Sequence, residues 1–414
     1  MNIGIIGYGR MGSSIFRLLA GKPHNITVLM RSEEKAKDRE KKFFRGLERS
    51  LKRGAITEDE YVRKKESLKF THRVEDLASA DLVTETAVED YQQKLNIFRK
   101  LESVINRKAV LVTNTSSISI EELAQELRYK ERFCGLHFFY PVLLIDLVEI
   151  IRCADTPMEL VSFLKDFCES IDKKPIVVHD APGSVVNATL AYYYGEALYI
   201  LEEGLALPSK VDELAKRIFY IGPCESMDVI GIDFFIEALE RAATPGSLSP
   251  IRWTGSSQME LSKTATGGRE GFFVPYLFGK LIAENRLGKK VSKGIYLYQR
   301  EKAVDDEPEF YVNPNRSCSY EDIDNDQELI AERLLYSIFN GSLYSLKKGM
   351  SSIEELDFGV KEVLQMKEGP FTMMRAIGME KLQEEFDFLT RTVGKRFRQP
   401  SFEFLNEQKQ MVWT

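Results

Sequence analysis

The apolar run Asn2–Ile6 ends in Gly7-Tyr8-Gly9-Arg10-Met11-Gly12, and a helical pattern carried by Ile15, Leu18 and Leu19 follows at once. Glycines at this spacing between a strand and a helix have separate tasks. The first permits a tight turn, the second lets the backbone approach a pyrophosphate, and the third lets the helix close on the strand. The N-terminus of the helix then directs free N–H groups at the phosphates. A second β-rich run at residues 26–30, after the turn Pro23-His24-Asn25, completes a βαβ unit of about 30 residues. The pattern predicts a dinucleotide site built on Gly7, Gly9 and Gly12.

Short apolar runs at residues 82–83, 109–112, 133–139, 147–151 and 175–178 continue the alternation with helical stretches, so a doubly wound sheet is expected. The charged stretch 32–66 is too long for an ordinary connection and reads as an antiparallel helical pair projecting from the sheet. Gly54 suits the stop of its first helix, and Thr57-x-x-Glu60 is a capping box for its second. Its cluster Arg45, Arg49, Lys52 and Arg53 is either a solvated face or a clamp for ligand phosphates. After Asp180 the pattern turns mostly helical. Leu198-Tyr199-x-Leu201-x-x-Gly204 recurs as Leu343-Tyr344-x-Leu346-x-x-Gly349, and Gly222-Pro223 with Gly231 recurs as Gly369-Pro370 with Gly378. A divergent duplication explains that recurrence. The expected architecture is an α/β Rossmann-type nucleotide-binding domain (1–181, with the helical pair at 33–66) followed by two related all-α domains, 182–300 and 328–414. A polar linker at 301–327 would separate them, and the stretch 244–271, rich in Gly, Ser and Thr, reads as a surface loop.

In an NAD site an acidic side chain at the end of the second strand bonds the adenine ribose, but here the position holds Arg31, followed by Ser32. Arginine and serine suit the 2′-phosphate of NADP, which is slightly favoured over NAD. The alternative is Arg31 stacked on adenine with Glu33 or Glu34 on the ribose. With 57 Lys and Arg against 63 Asp and Glu, the net charge of −6 argues against nucleic acid as a partner. Five widely spaced cysteines without a C-x-x-C imply neither a disulfide framework nor a metal site. No window is apolar enough to span a bilayer and no signal segment is visible at Met1, so a cytoplasmic protein without membrane association is expected. Of four histidines, His137 stands out, at the C-terminal end of an apolar run. Glu149 lies in the next apolar run, and a buried carboxylate there needs a partner.

Asn114-Thr115-Ser116-Ser117, Gly135-Leu136-His137-Phe138-Phe139 with Pro141, Leu147-Val148-Glu149 and Asp180-x-Pro182-Gly183-x-x-x-Asn187 resemble, in order, the motifs of 3-hydroxyacyl-CoA dehydrogenases. The likeness continues through Gly222-Pro223, Asp228, Gly231-x-Asp233 and Gly288-Lys289-Lys290-x-x-Lys293-Gly294-x-Tyr296. The duplicated C-terminal segment resembles the dehydrogenase portion of multifunctional fatty-acid oxidation proteins, here without a hydratase domain. The resemblance implies interconversion of a 3-hydroxyacyl-CoA and a 3-oxoacyl-CoA by hydride transfer with a nicotinamide cofactor. It makes His137 the general base and Glu149 its orienting partner, with Ser116 and Asn187 on the reacting oxygen or thioester carbonyl. Glu89 and Lys94 match cofactor-side positions, and Ser50 matches a CoA contact. Tyr140 replaces the usual Asn of the His-Phe-Phe-Asn-Pro motif, placing a bulky ring beside the site, and Arg31 replaces the usual Asp.

Two rival readings remain. One is another NADP-dependent β-hydroxyacid or imine reductase, which would leave His137 and Glu149 idle. The other is a non-catalytic nucleotide-binding relative. In single-copy relatives the helical domain mediates dimerisation, so the resemblance implies that the second copy acts as an internal partner. A monomer or weak dimer is then expected.

Overall fold

The structure, a computed structural model, describes residues 1–180, 184–233, 235, 275–314, 327–394 and 397. The loop expected at 244–271, as well as Pro182 and Gly183, lies outside them. The chain divides into two compact units, Met1–Asp180 and Ala181–Thr414.

In the first unit β1 (Asn2–Ile6), α1 (Arg10–Leu19) and β2 (Asn25–Leu29) form the βαβ unit. The helical pair follows as α2 (Glu33–Lys52) and α3 (Glu58–Ser67). Gly54, at φ +68°, takes the turn between them. Thr57 caps α3 in a capping box with Glu60. The chain returns through β3 (Leu68–Thr71), β4 (Leu82–Glu85), α4 (Tyr91–Glu102), β5 (Val110–Thr113), α5 (Ile120–Gln125) and β6 (Phe133–Phe138). It ends with β7 (Leu147–Arg152), α6 (Met158–Ser170) and β8 (Lys174–His179).

The eight strands lie in the order β3-β2-β1-β4-β5-β6-β7-β8. The first six run the same way, whereas β7 is antiparallel to β6 and β8 follows β7. The alternation in the sequence does not reveal this reversal, because β6 and β7 are buried on both faces and carry no mark of direction. Strand order turns back between β1 and β4, which opens the crevice where doubly wound sheets bind ligands.

In the second unit α7 (Val185–Glu202) is buried at every residue except Asn187. A helix buried all round needs neighbours on all sides. One of them is the helix Gln327–Lys347, the start of the repeated segment. At Gly341 the two helices approach so closely that a Cβ would sit 2.6 Å from the Thr189 carbonyl oxygen. Tyr192 and Tyr344 meet with ring centroids 5.9 Å apart. Buried Arg333 pairs with Glu196 at 2.5 Å and Glu203 at 2.8 Å. A buried guanidinium needs such partners.

The repeat extends to its devices. After α8 (Pro208–Ala215), Asp212 accepts bonds from the backbone N–H groups of Cys224 and Glu225 at the start of α9 (Pro223–Ile230). In the second copy Asp357, in the helix Ile353–Leu364, accepts from Phe371 and Thr372 at the start of Pro370–Ile377. Gly222 and Gly369 admit these carboxylates, since a Cβ at either would lie 2.2 or 2.3 Å from the aspartate.

Part of the expected linker is built into the first copy. Lys302–Val304 pairs with Leu297–Gln299 in a hairpin. Fully buried Arg286 bonds the carbonyl of Gly294 at 2.7 Å and Asp306 at 2.5 Å, and the Tyr311 hydroxyl donates to the carbonyl of Ile295 at 2.9 Å. Polar composition at 301–327 conceals these anchors. Among the described residues no helix is long and apolar enough to cross a membrane, and no group of His, Cys, Asp or Glu could hold a metal ion.

Candidate active site

Because β1 to β6 are parallel, the turns after their C-terminal ends share one edge of the sheet. Gly7 takes φ +91°, a conformation that glycine alone adopts freely. A Cβ at Gly12 would lie 2.4 Å from the Gly7 carbonyl oxygen, so this glycine lets α1 close on the turn. At Gly9, the N-cap of α1, a Cβ would meet nothing within 4 Å. That opening, with no acidic residue in the first turn of α1, suits a pyrophosphate. Arg31 is exposed beyond β2, and Ser32 caps α2 by accepting a bond from the N–H of Lys35 at 3.4 Å.

His137 and Glu149 are register partners across β6 and β7, with Nδ1 2.8 Å from Oε2. Both are buried, at 4% and 0% exposure. An ionised carboxylate only accepts, so this contact suits a ring that carries its proton on Nδ1, and in the neutral imidazole Nε2 then keeps its lone pair. Phe139 packs edge-on to the imidazole with centroids 4.7 Å apart. Asn114 holds the strand end, since its Oδ1 accepts from the N–H of Phe138 at 2.9 Å. Tyr140 stacks beneath the Arg10 guanidinium, 5.5 Å from the ring centroid. The replacement for Asn thus joins the end of β6 to the glycine turn.

A second buried network lies between β4, α4 and β5. Lys94, 1% exposed, reaches both oxygens of Glu85 at 2.9 Å and Glu89 at 3.2 Å. Thr113 donates to Glu85 at 2.7 Å. Glu89 also accepts from the hydroxyls of Thr115 and Ser117, the latter at 2.5 Å. Burial works to raise the Glu89 carboxyl, but Lys94 and the two hydroxyls outweigh it and hold the group below its ordinary value. Half-buried Ser116 is therefore presented between two anchored residues at the end of β5. Sequence reasoning singled out Glu89 and Lys94 but missed Glu85 and the bracing role of Asn114. Glu85 carried a sign related to that of Glu149, a carboxylate at the end of an apolar run where Glu149 lies inside one.

Asn187 belongs to the second unit. It lies in the first turn of α7, where its N–H donates to Ser184 at 3.2 Å, and it alone on that helix is part exposed. Ser50 and exposed Lys52 lie at the end of α2, and Arg45, Arg49 and Lys52 share one exposed helix face by their spacing. Ser50 itself donates to the carbonyl of Gly46 at 3.2 Å.

Residues 2–181 match the family model for the 3-hydroxyacyl-CoA dehydrogenase NAD binding domain, and residues 183–298 match its C-terminal domain. The chain is 31% identical over 311 residues to mouse mitochondrial hydroxyacyl-coenzyme A dehydrogenase, across 72% of this chain and 91% of the relative. A 3-hydroxybutyryl-CoA dehydrogenase of Mycobacterium tuberculosis is 31% identical over 300 residues, across 72% of this chain and 98% of the relative. In fold, an Escherichia coli 3-hydroxybutyryl-CoA dehydrogenase structure covers 100% of this chain and 98% of its own, with a TM-score of 0.79 at 23% identity. Shared sequence along both units, on a sheet whose ligand edge carries the paired histidine and glutamate, makes the chain a member of the 3-hydroxyacyl-CoA dehydrogenase family.

Proposed function

We propose that the chain interconverts 3-hydroxyacyl-CoA and 3-oxoacyl-CoA esters with His137 as general base and Glu149 as the group that orients it. The 2.8 Å contact between His137 and Glu149, buried at the ligand edge of the sheet, carries this reading. With Nδ1–H held by Glu149, Nε2 takes the proton of the substrate hydroxyl as the C3 hydrogen departs with its electron pair. The carboxylate stabilises the imidazolium that forms. In reduction the imidazolium returns that proton to the carbonyl oxygen. When bound, the nicotinamide ring supplies the hydride acceptor or donor. Ser116 and Asn187 donate hydrogen bonds to the reacting oxygen or the thioester carbonyl. The cationic face of α2, with Ser50 and Lys52, receives the phosphates of CoA, while Glu89, braced by Lys94, lies on the cofactor side and Tyr140 borders the substrate.

For the cofactor we favour NADP(H). Arg31 is exposed and, among the described residues, without a carboxylate partner, whereas Glu33 is engaged by Lys37 at 2.6 Å. A guanidinium beside the start of α2 suits a 2′-phosphate better than a ribose hydroxyl. The second helical copy takes the place of a partner subunit against α7, and the protein acts as a monomer or weak dimer. The four described cysteines are free and buried, which fits a reducing compartment such as the cytoplasm.

The Mycobacterium tuberculosis relative carries a name that points to a 3-hydroxybutyryl ester. The test is to follow cofactor absorbance as the full chain meets acetoacetyl-CoA and longer 3-oxoacyl-CoA esters with NADPH or NADH. Turnover of at least one ester supports the reading, and no turnover of any ester with either cofactor contradicts it.

A further inference from the structure

Arg39 has a setting that the reaction above does not use. It lies three residues after Ala36, whose burial in the sheet core fixes the inward face of α2. Its guanidinium sits over the ring of Tyr8, 5.0 Å from the centroid. Tyr8 is the residue between the first two glycines of the turn, and its ring is held by Phe16 and Phe70, each with centroids 5.5 Å away. The N–H of Gly7 donates to the carbonyl of Leu29 at 3.0 Å, so the turn runs alongside the end of β2, where Met30 and Arg31 follow. Arg39 is thus aimed at the corner of the sheet that receives the 2′ position of an adenine ribose.

Its electrostatics are unusual for a surface arginine. Among the described residues Arg39 has no carboxylate partner, and its Nε is buried without a hydrogen-bond acceptor. Two acids of α2 are taken elsewhere, Glu33 by Lys37 at 2.6 Å and Asp38 by Lys42 at 2.8 Å. A guanidinium kept part buried with an unmet donor is costly unless an acceptor arrives. The ring face offsets some of that cost and fixes the plane of the group.

We infer that Arg39 is a second cation for the 2′-phosphate of NADP(H), acting with Arg31 from across the Tyr8 ring. The inference rests on the NADP(H) reading above. A dianionic phosphate matches two guanidinium groups, and a fixed planar fork discriminates phosphate from hydroxyl better than one exposed arginine can.

Equilibrium titrations of the full chain, without acyl-CoA, read this directly. Dissociation constants for NADPH, NADH, 2′,5′-ADP and 5′-AMP are compared in the parent, Arg31→Gln, Arg39→Gln and Arg39→Lys. The expected result is that Arg39→Gln weakens NADPH and 2′,5′-ADP about tenfold or more and leaves NADH and 5′-AMP within about twofold. Arg39→Lys should keep part of the preference because it keeps the charge, which also guards against a folding defect in the glutamine variant. If the parent prefers NADPH and Arg31→Gln abolishes that preference while Arg39→Gln does not, Arg39 has no such role and the cofactor reading survives. If Arg39→Gln weakens all four ligands equally, the residue merely holds Tyr8 and the turn, and the inference fails. A parent that prefers NADH overturns both readings together.

Discussion

At the scale of single residues, the site depends on polar groups placed in otherwise apolar strands. His137 and Glu149 face one another only because β6 and β7 pair in this register, and a slip of one residue would turn one of them to the opposite face of the sheet. Both were legible because a titratable side chain inside an apolar run has few bland explanations. Glu85 bears a related sign but ends a four-residue strand, where too little pattern surrounds it to mark it as buried. Lys94 shows what is at stake in that network. Replacing it by methionine leaves Glu85, at 0% exposure, without its cation, and uncompensated buried charge typically costs about 3–5 kcal/mol. Lys94→Met should therefore lower the unfolding free energy by that order in urea titrations. A loss below about 1 kcal/mol would show that Thr113 and the backbone suffice to hold the carboxylate.

At the scale of elements, local signals were read most faithfully. The glycine turn, the capping box of α3 and the recurring Gly-Pro helix starts are decided by residues a few positions apart. The reversal at β7 was not legible, since strand direction is set by which neighbour a strand meets and leaves no trace in its own composition. The hairpin and anchors at 302–311 were hidden for a related reason. One buried tyrosine, Tyr311, ties a polar segment to the backbone of Ile295. Two buried aspartates of the first helical copy, Asp212 in its clasp and Asp228, which accepts from the N–H groups of Ile295 and Tyr296, give a pH prediction. Burial pushes Asp212 up to about 6 and Asp228 up to about 6, against the bonds both accept. A carboxyl whose folded value is raised adds stability that is fully present below its ordinary value and is lost as pH rises through about 6. The shift corresponds to roughly 2–3 kcal/mol for each group. Opening free energies of amides in α9, from hydrogen exchange corrected for intrinsic rates, should fall between about pH 4 and 7. Asp212→Asn should be less stable at pH 5, because its amide nitrogen faces a backbone donor, yet should show a weaker fall. An unchanged pH dependence would remove Asp212 as its source.

At the scale of the whole molecule, the duplication gives α7 a neighbour from within its own chain. Only the repeat was visible in the sequence, whereas the approach at Gly341 and the Arg333 pairs required the packed structure. Ending the chain at residue 326 would strip the helix Gln327–Lys347 from α7 and expose contiguous apolar surface. That shortened protein should dimerise or precipitate while the full chain stays more monomeric, as light-scattering masses would show. A soluble, monomeric and fully active shortened protein would contradict the internal-partner reading. The central claim, that this fold acts as a 3-hydroxyacyl-CoA dehydrogenase through His137, is tested most directly by steady-state turnover of a 3-oxoacyl-CoA by the full chain and by His137→Gln, with cofactor affinity titrated in both. Turnover reduced by about 10²–10⁴ with cofactor affinity unchanged is the predicted result. Turnover within a few fold of the parent would contradict it.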